Sequence, residues 1–153
     1  MSETFKDRLV RHIDINGPLP LAEFMHWAMY DPKQGYYATT KPIGKDGDFI
    51  TAPEISQMFG ELLGLWAIGA WEALGEPTDF NLVEIGPGRG TLMKDLLRAA
   101  KAKPEFLNAA TIHLIETSDS LTKTQQDVLK DHPDINWHKS IKHLPNAKSI
   151  VIA

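Results

Sequence analysis

The feature that most constrains the fold is a glycine cluster directly after an apolar segment, in LVEIGPGRGT at residues 82–91. Gly86, Gly88 and Gly90 alternate with other residues, and glycine is costly in ordered structure unless the backbone must turn sharply or approach another group closely. The apolar residues before the cluster are typical of a buried strand, and residues 91–101 are typical of a helix. The pattern therefore predicts a strand, a tight loop and a helix, with loop backbone free to approach a ligand.

Strand and helix patterns alternate from residue 79 onwards. Four short apolar segments are predicted as strands, and helical patterns cover residues 91–101 and 120–130 between them. This alternation predicts βαβ crossovers and a parallel sheet, which is the α/β class with a Rossmann-like arrangement. The predicted strands are residues 81–86, 111–118, 135–139 and 148–153.

The residues before this region form a different pattern. Helical spacing of apolar residues covers residues 2–16 and 20–30, and an aperiodic segment rich in Gly, Pro and Thr follows. Residues 54–74 return to a helix that is apolar almost all round, so we expect it to be buried, with Trp66 and Trp71 in the core. We therefore expect a helical and loop region at residues 1–78 and an incomplete ligand-binding domain at residues 79–153.

Composition excludes several classes of function. A net charge of −4 gives no electrostatic reason to expect nucleic acid or an anionic membrane as a partner, and no apolar run is long enough to span a bilayer. The absence of cysteine excludes disulfides, thiolate nucleophiles and cysteine-ligated zinc. The six histidines lack metal-ligand spacing, so we expect no metal site.

The two ends of the chain lead to two further expectations. The first residues mix acidic and basic side chains without an apolar core, which is typical of neither a signal nor a transit peptide, so we expect a cytoplasmic, bacterial protein. The final apolar run stops at Ala153, so we expect a fragment of a longer protein. The alternative is a short domain that dimerises through the sheet edge formed by this last strand. The sequence leaves the oligomeric state open.

The residues around the glycines favour one ligand over another. Glu84 precedes Gly86 by two residues, and a carboxylate at the end of a strand would repel a pyrophosphate but suits a positively charged ligand. S-adenosylmethionine carries an ammonium and a sulfonium. A nicotinamide dinucleotide is disfavoured, because its fingerprint needs a glycine where Thr91 stands and because Pro87 removes a backbone donor.

A second carboxylate, Glu116, ends the next predicted strand. An acidic residue at this point of a βαβ nucleotide site accepts hydrogen bonds from the ribose hydroxyls. Each feature also has a structural interpretation, since glycines often serve only a tight turn and strand-end glutamates are often solvated. Together at this spacing, Glu84 and Glu116 favour an S-adenosylmethionine site.

Polar residues also cluster in the aperiodic segment before the third helix. Thr51 and Glu54, with Pro53 between them, match a helix-capping box, which would be a structural role. That interpretation leaves Asp48 and Gln57 unexplained, and we expect these two side chains to contact a ligand.

Longer motifs resemble a known family. EIGPGRGT resembles the first motif of class I S-adenosylmethionine-dependent methyltransferases. PLPLAEFMHWAMYDPKQGYY and YYATTKPIGKDGDFITAPEISQMFGELLG resemble the MidA-like family, which includes the arginine methyltransferase that acts in assembly of mitochondrial respiratory complex I. The resemblance covers nearly the whole chain and implies transfer of a methyl group to a protein arginine side chain.

An alternative to methyl transfer is a non-catalytic module for adenosylmethionine binding or for assembly.

The resemblance also implies roles for individual residues. Asp48 and Glu54 are the candidates for orienting an arginine acceptor and accepting its proton. The implied cofactor-binding residues are Glu84, Gly86, Pro87, Gly88, Arg89, Gly90 and Glu116, and the implied substrate or lid residues are Asp48, Thr51, Pro53, Glu54, Ser56 and Gln57.

Overall fold

The structure is a computed structural model that describes residues 3–40, 50–132 and 134–153. The chain divides into two compact units, one containing residues 3–40 and the other residues 50–153. None of the helices in the described ranges is long and apolar enough to cross a membrane.

The first unit consists of three helices, α1 (Phe5–Asn16), α2 (Leu21–Tyr30) and α3 (Tyr36–Thr39). Thr4 begins α1 with a capping box, in which its hydroxyl accepts from the Asp7 backbone N–H and the Asp7 carboxylate accepts in return. Tyr30 stacks on Tyr37 with 5.6 Å between ring centroids. These contacts tie α3, within the segment predicted to be aperiodic, to α2.

The second unit is an α/β structure, as the alternating pattern predicts. It opens with α4 (Ala52–Ile55) and α5 (Gln57–Ala73), and its sheet begins with β1 (Phe80–Ile85). A short 3-10 helix, Ile141–His143, precedes the last strand. The remaining elements are α6 (Thr91–Ala100), α7 (Pro104–Ala109), β2 (Ala110–Ile115), α8 (Asp119–Val128), β3 (Ile135–His138) and β4 (Ser149–Ile152).

The four strands form one parallel sheet in the order β3-β2-β1-β4. The chain passes from β1 outward to β2 and β3, then returns to place β4 on the other side of β1. At Glu84, β1 pairs with Leu114 of β2 on one side and with Ile152 of β4 on the other. In sheets of this kind, ligands bind outside the carboxyl ends of the strands at the point where strand order reverses, which here is the end of β1.

Helix α5 packs closely against α6 because two glycines face it. A Cβ at Gly60 would lie 2.6 Å from the Asp95 Cβ, and one at Gly64 would lie 2.7 Å from the Leu96 carbonyl oxygen. Ala67 and Trp71 of α5 join the core of the sheet. Helix α5, which the sequence analysis places in the N-terminal region, therefore shares its core with β1 and α6, while the domain division at residues 78 and 79 stays a prediction.

The expectation that this helix is buried all round is wrong. One face, which includes Trp71, is buried, but Trp66 is 55% exposed and Met58, Leu62 and Leu65 are exposed as well. The reason is that α6 and the sheet cover α5 from one side. The helix also begins later than predicted, because Ser56 adopts an extended backbone and separates α4 from α5. Helix α7, with Pro104 in its first turn, was not predicted.

Candidate functional site

The glycine loop takes a backbone path that needs glycine. Gly86, Gly88 and Gly90 have φ angles of 67°, 53° and 83°, in the left-handed region that other residues seldom adopt. The Gly86 N–H donates to the Ile115 carbonyl of β2 at 3.0 Å, and the Gly90 N–H donates to the Pro87 carbonyl at 2.8 Å. Gly90 is also the N-cap of α6. The loop thus turns directly from the end of β1 into the start of α6.

A pocket of about 310 Å³ opens beside this loop. It lies at the carboxyl ends of β1 and β4 and is closed on another side by α4 and the first turns of α5. Its size is within the range of small-molecule and cofactor sites. The pocket is lined by Thr51, Ala52, Pro53, Glu54, Phe59, Leu63, Glu84, Ile85, Gly86, Pro87, Gly88, Arg89, Thr91, Leu92, Ile152 and Ala153.

Glu84 is a buried ionisable residue in the wall of this pocket. The residue is 4% exposed, and its Oε2 has no hydrogen-bond partner among the described residues. Burial raises the pKa of Glu84 from its usual value to about 7, and a backbone hydrogen bond from Met93 in the first turn of α6 opposes that rise. A buried carboxylate oxygen without a partner is costly, so this position favours a ligand that carries positive charge or hydrogen-bond donors.

Glu54 connects α4 to the glycine loop rather than capping its own helix. Thr51 is the N-cap of α4, but its side chain makes no capping hydrogen bond. The Glu54 Oε1 instead accepts a 2.6 Å hydrogen bond from the Thr91 hydroxyl at the first position of α6. The capping-box interpretation of Thr51 and Glu54 is therefore wrong, because the Thr51 hydroxyl makes no capping hydrogen bond and the Glu54 carboxylate is bonded to Thr91 instead.

Glu116 lies in a buried hydrogen-bond network next to the loop. Its Oε1 accepts from the Ser118 backbone N–H at 2.8 Å, and its Oε2 accepts from the Gln125 Nε2 at 3.1 Å. The same Gln125 nitrogen donates to the Gly88 carbonyl at 2.8 Å. The carboxylate that follows β2 is thus joined to the glycine loop through one side chain of α8.

The structure brings most of the predicted site residues together. Thr51, Pro53 and Glu54 face the same pocket as Glu84 and the glycine loop, which includes the exposed Arg89. Asp48 lies outside the described residues. Four predicted residues do not line the pocket, namely Ser56, Gln57, Gly90 and Glu116. Of these, Gln57 donates to the Glu61 carboxylate along α5.

Sequence reasoning missed two residues that donate hydrogen bonds to predicted site residues, Thr91 and Gln125. Thr91 was considered only as the position of a missing glycine. Gln125 has a sequence signal, because it stands between Leu121 and Leu129 at helical spacing, on the face of α8 where an apolar residue is expected. A polar side chain on such a face is a candidate for a buried hydrogen-bond role.

Comparison with known proteins agrees with this geometry. Residues 62–153 match a protein-family model described as "Putative S-adenosyl-L-methionine-dependent methyltransferase". This match covers more than half of the chain, from α5 through β4. The chain belongs to this methyltransferase family. The MidA-like resemblance stated from the sequence motifs is thereby confirmed.

Curated relatives match over most of the chain. The human protein arginine methyltransferase NDUFAF7, mitochondrial, is 37% identical over 168 residues, which are 95% of this chain and 38% of that protein. The Drosophila melanogaster homologue is 37% identical over 90% of this chain and 36% of its own length. The chain therefore spans about two fifths of the length of these relatives. These relatives are named as mitochondrial proteins, so the expectation of a cytoplasmic, bacterial protein is contradicted.

Two crystal structures of proteins from Burkholderia thailandensis share the fold. One, bound to S-adenosyl-homocysteine, has a TM-score of 0.78 and 23% identity, and the match covers 96% of this chain and 40% of that one. The other, a native structure, has a TM-score of 0.73 and 24% identity, with 96% and 37% covered. At this level of identity the likeness shows the fold, and it confirms the Rossmann-like prediction.

Proposed function

We propose that the protein is an S-adenosylmethionine-dependent methyltransferase and that the pocket beside the glycine loop binds this cofactor. The observation that carries the proposal is Glu84, a buried carboxylate that lines the pocket and has one oxygen without a hydrogen-bond partner among the described residues. Membership of the methyltransferase family supports it independently.

The pocket residues fit S-adenosylmethionine in both charge and shape. Glu84 offers a negative charge for the ammonium or sulfonium of the cofactor, and pairing would offset its desolvation cost. Gly86 and Gly88 bring backbone to the pocket wall without side chains. Phe59, Leu63 and Ile152 supply apolar lining. A dinucleotide would instead bring a pyrophosphate towards the Glu84 carboxylate, which is unfavourable.

The residues of this chain would bind and orient the cofactor, and they would exclude water from the pocket. S-adenosylmethionine, when bound, supplies an electrophilic methyl group whose leaving group is a neutral thioether. Glu84 and the glycine loop would fix the position of the methyl donor, and the Glu54 to Thr91 hydrogen bond would hold α4 over the pocket. Fixing the geometry in this way lowers the entropic part of the barrier. Catalytic roles for Asp48 and Glu54 stay predictions.

The acceptor in this proposal is a protein arginine side chain. The names of the mitochondrial relatives support it, and a link to respiratory complex I assembly follows from the family resemblance. An arginine guanidinium must lose a proton as it gains a methyl group, so an acceptor site needs a nearby carboxylate. Glu54 is the described carboxylate of the pocket wall formed by α4.

Calorimetric titration with S-adenosylmethionine and S-adenosyl-homocysteine tests the proposal. We expect binding by the wild-type protein and a loss of about tenfold or more for Glu84→Gln, since charge-assisted contacts contribute more than neutral ones. Glu105→Gln, on the exposed start of α7, is the matched control and should bind like the wild type. Absence of binding by folded wild-type protein would overturn the proposal. Binding without methyl transfer to any protein substrate would support the non-catalytic alternative.

A further inference from the structure

The side chain of Gln125 is fully buried on α8, yet it makes hydrogen bonds to three separate parts of the second unit. Its Nε2 donates to the Gly88 carbonyl at 2.8 Å and to the Glu116 Oε2 at 3.1 Å. Its Oε1 accepts from the Trp137 indole Nε1 at 3.0 Å. One amide therefore links the glycine loop, the carboxylate after β2 and strand β3.

The chemistry of the three partners fixes which way the amide faces. The Trp137 indole can only donate, so it must meet the amide oxygen. The Gly88 carbonyl can only accept, so it must meet the NH₂ group, whose second hydrogen is then directed to the Glu116 Oε2. An amide satisfies all three groups, whereas an apolar side chain satisfies none and a carboxylate satisfies only Trp137.

Little space separates Gln125 from the glycine loop at Gly90. A Cβ added to Gly90 would lie 3.5 Å from both the Cα and the Cγ of Gln125. The space beside Gly90 would therefore just hold a methyl group, and the direct contact with the loop is the hydrogen bond to Gly88. Gln125 itself does not line the pocket.

We propose that Gln125 is a positioning residue of the adenosyl site, which sets the glycine loop and the Glu116 carboxylate at a fixed separation so that both can contact one nucleoside. The proposal rests on the proposed function. Gln125 makes no contact with the ligand itself, but the affinity of the site for the adenosyl group depends on the Gln125 amide.

Substitution of Gln125 with Glu separates a positioning role from a merely structural one. At pH 8 the new carboxylate would be ionised beside Glu116 and would face the Gly88 carbonyl, so it would repel both. At pH 6 a larger share is protonated, because a neighbouring carboxylate favours the neutral acid, and the acid can donate one hydrogen bond as the amide does. Among the described hydrogen-bond partners of Gln125, the titratable one is Glu116.

The experiment measures the affinity for S-adenosyl-homocysteine by calorimetry at pH 6 and pH 8, each value taken relative to the wild type at the same pH. We expect Gln125→Glu to weaken binding about tenfold or more at pH 8 and clearly less at pH 6, from the cost of unpaired and like-charged buried groups. Gln126→Glu, the exposed neighbour on the same helix, is the control and should match the wild type at both pH values.

A neutral variant tests the inference without introducing a charge, so the test does not depend on whether Gln125→Glu folds at pH 8. Gln125→Met preserves length and approximate volume but removes the donors, and we expect about a tenfold loss that is equal at both pH values. Thermal unfolding of each variant at both pH values shows that folded protein is compared. Gln125→Met within twofold of the wild type, or Gln125→Glu with no pH-dependent loss, would overturn the inference while leaving the proposed function intact. A wild-type protein that binds no S-adenosyl-homocysteine would overturn the proposed function, and this inference with it.

Discussion

At the scale of single residues, the carboxylates in and next to the pocket differ in their hydrogen-bond partners. Glu54 is held by the Thr91 hydroxyl and Glu116 by Ser118 and Gln125, while an oxygen of Glu84 stays unpartnered among the described residues. Of the three, Glu84 is the carboxylate that a donor or a cation on a ligand would stabilise most, because its buried oxygen is unsatisfied. Glu84 lies near the end of β1 and lines the pocket beside the glycine loop, whereas Glu116 follows β2 and does not line it.

The raised pKa of Glu84 predicts how stability depends on pH. The folded protein holds this proton up to about pH 7, whereas the unfolded chain releases it near the usual pKa of 4.5. The stability that Glu84 contributes is therefore complete below about pH 4.5 and is lost as pH rises to about 7, on the order of 3 kcal/mol in all. In denaturant titrations without ligand, Glu84→Gln should remove this fall in the free energy of unfolding between about pH 4.5 and pH 7. An unchanged pH profile in the variant would show that Glu84 is not desolvated.

The sequence predicts some of these residues and not others. Glu84 and the glycines belong to one continuous segment, so their shared site follows from chain order and strand geometry. Gln125 contacts Gly88 across 37 residues, and Thr91 contacts Glu54 across the same separation. Such contacts depend on how α8 and α4 pack, which a local pattern does not specify. The same limit explains why Thr51 and Glu54 match a capping box that the fold does not form.

At the scale of elements, α5 shows how one helix can combine a tightly packed face with an open one. Gly60 and Gly64 let it approach α6 closely, and its opposite face leaves several large apolar side chains exposed. The near-uniform apolar pattern of residues 54–74 correctly predicts a helix but does not indicate which face the sheet covers. The buried face is marked instead by the two glycines, whose spacing of four residues places both on the α6 side.

Two glycine substitutions in α5 test this packing. Gly64→Ala should destabilise the fold by about 1–3 kcal/mol, because its Cβ would lie 2.7 Å from the Leu96 carbonyl oxygen. Gly69→Ala is the matched control, because apart from the backbone of its own helix no described residue would lie within 4 Å of the added Cβ, and it should stabilise the helix by about 0.5–1 kcal/mol. The free energy of unfolding measures both. Equal effects of the two substitutions would contradict the close α5 to α6 approach.

A pair of tryptophan substitutions tests which face of α5 is buried. Trp71 is 2% exposed and donates from its indole to the Pro77 carbonyl at 2.9 Å, so Trp71→Phe should cost about 1–3 kcal/mol. Trp66 is more than half exposed, and Trp66→Phe should change stability by less than about 0.5 kcal/mol. Fluorescence emission from Trp66 should also lie at longer wavelength than that from Trp71. The reverse order in either measurement would contradict the assignment of the faces.

At the scale of the whole molecule, the strand order places the site. The order β3-β2-β1-β4 reverses at β1, so the end of β1 lies open between two neighbours and the loop after it forms the pocket wall. The alternation of strands and helices in the sequence predicts the parallel sheet and hence the edge at which a ligand binds. Strand order itself was not predicted, because parallel strands of similar composition can be paired in more than one order.

The central claim is that the pocket takes a cationic adenosyl ligand through Glu84, and proton release on binding tests it most directly. S-adenosylmethionine binding is measured calorimetrically at pH 6.5 in buffers of different ionisation enthalpy. A cation beside Glu84 should lower its pKa from about 7, so the wild type should release a proton that Glu84→Gln does not release. Equal proton release by the two proteins, or no binding by the wild type, would contradict the claim.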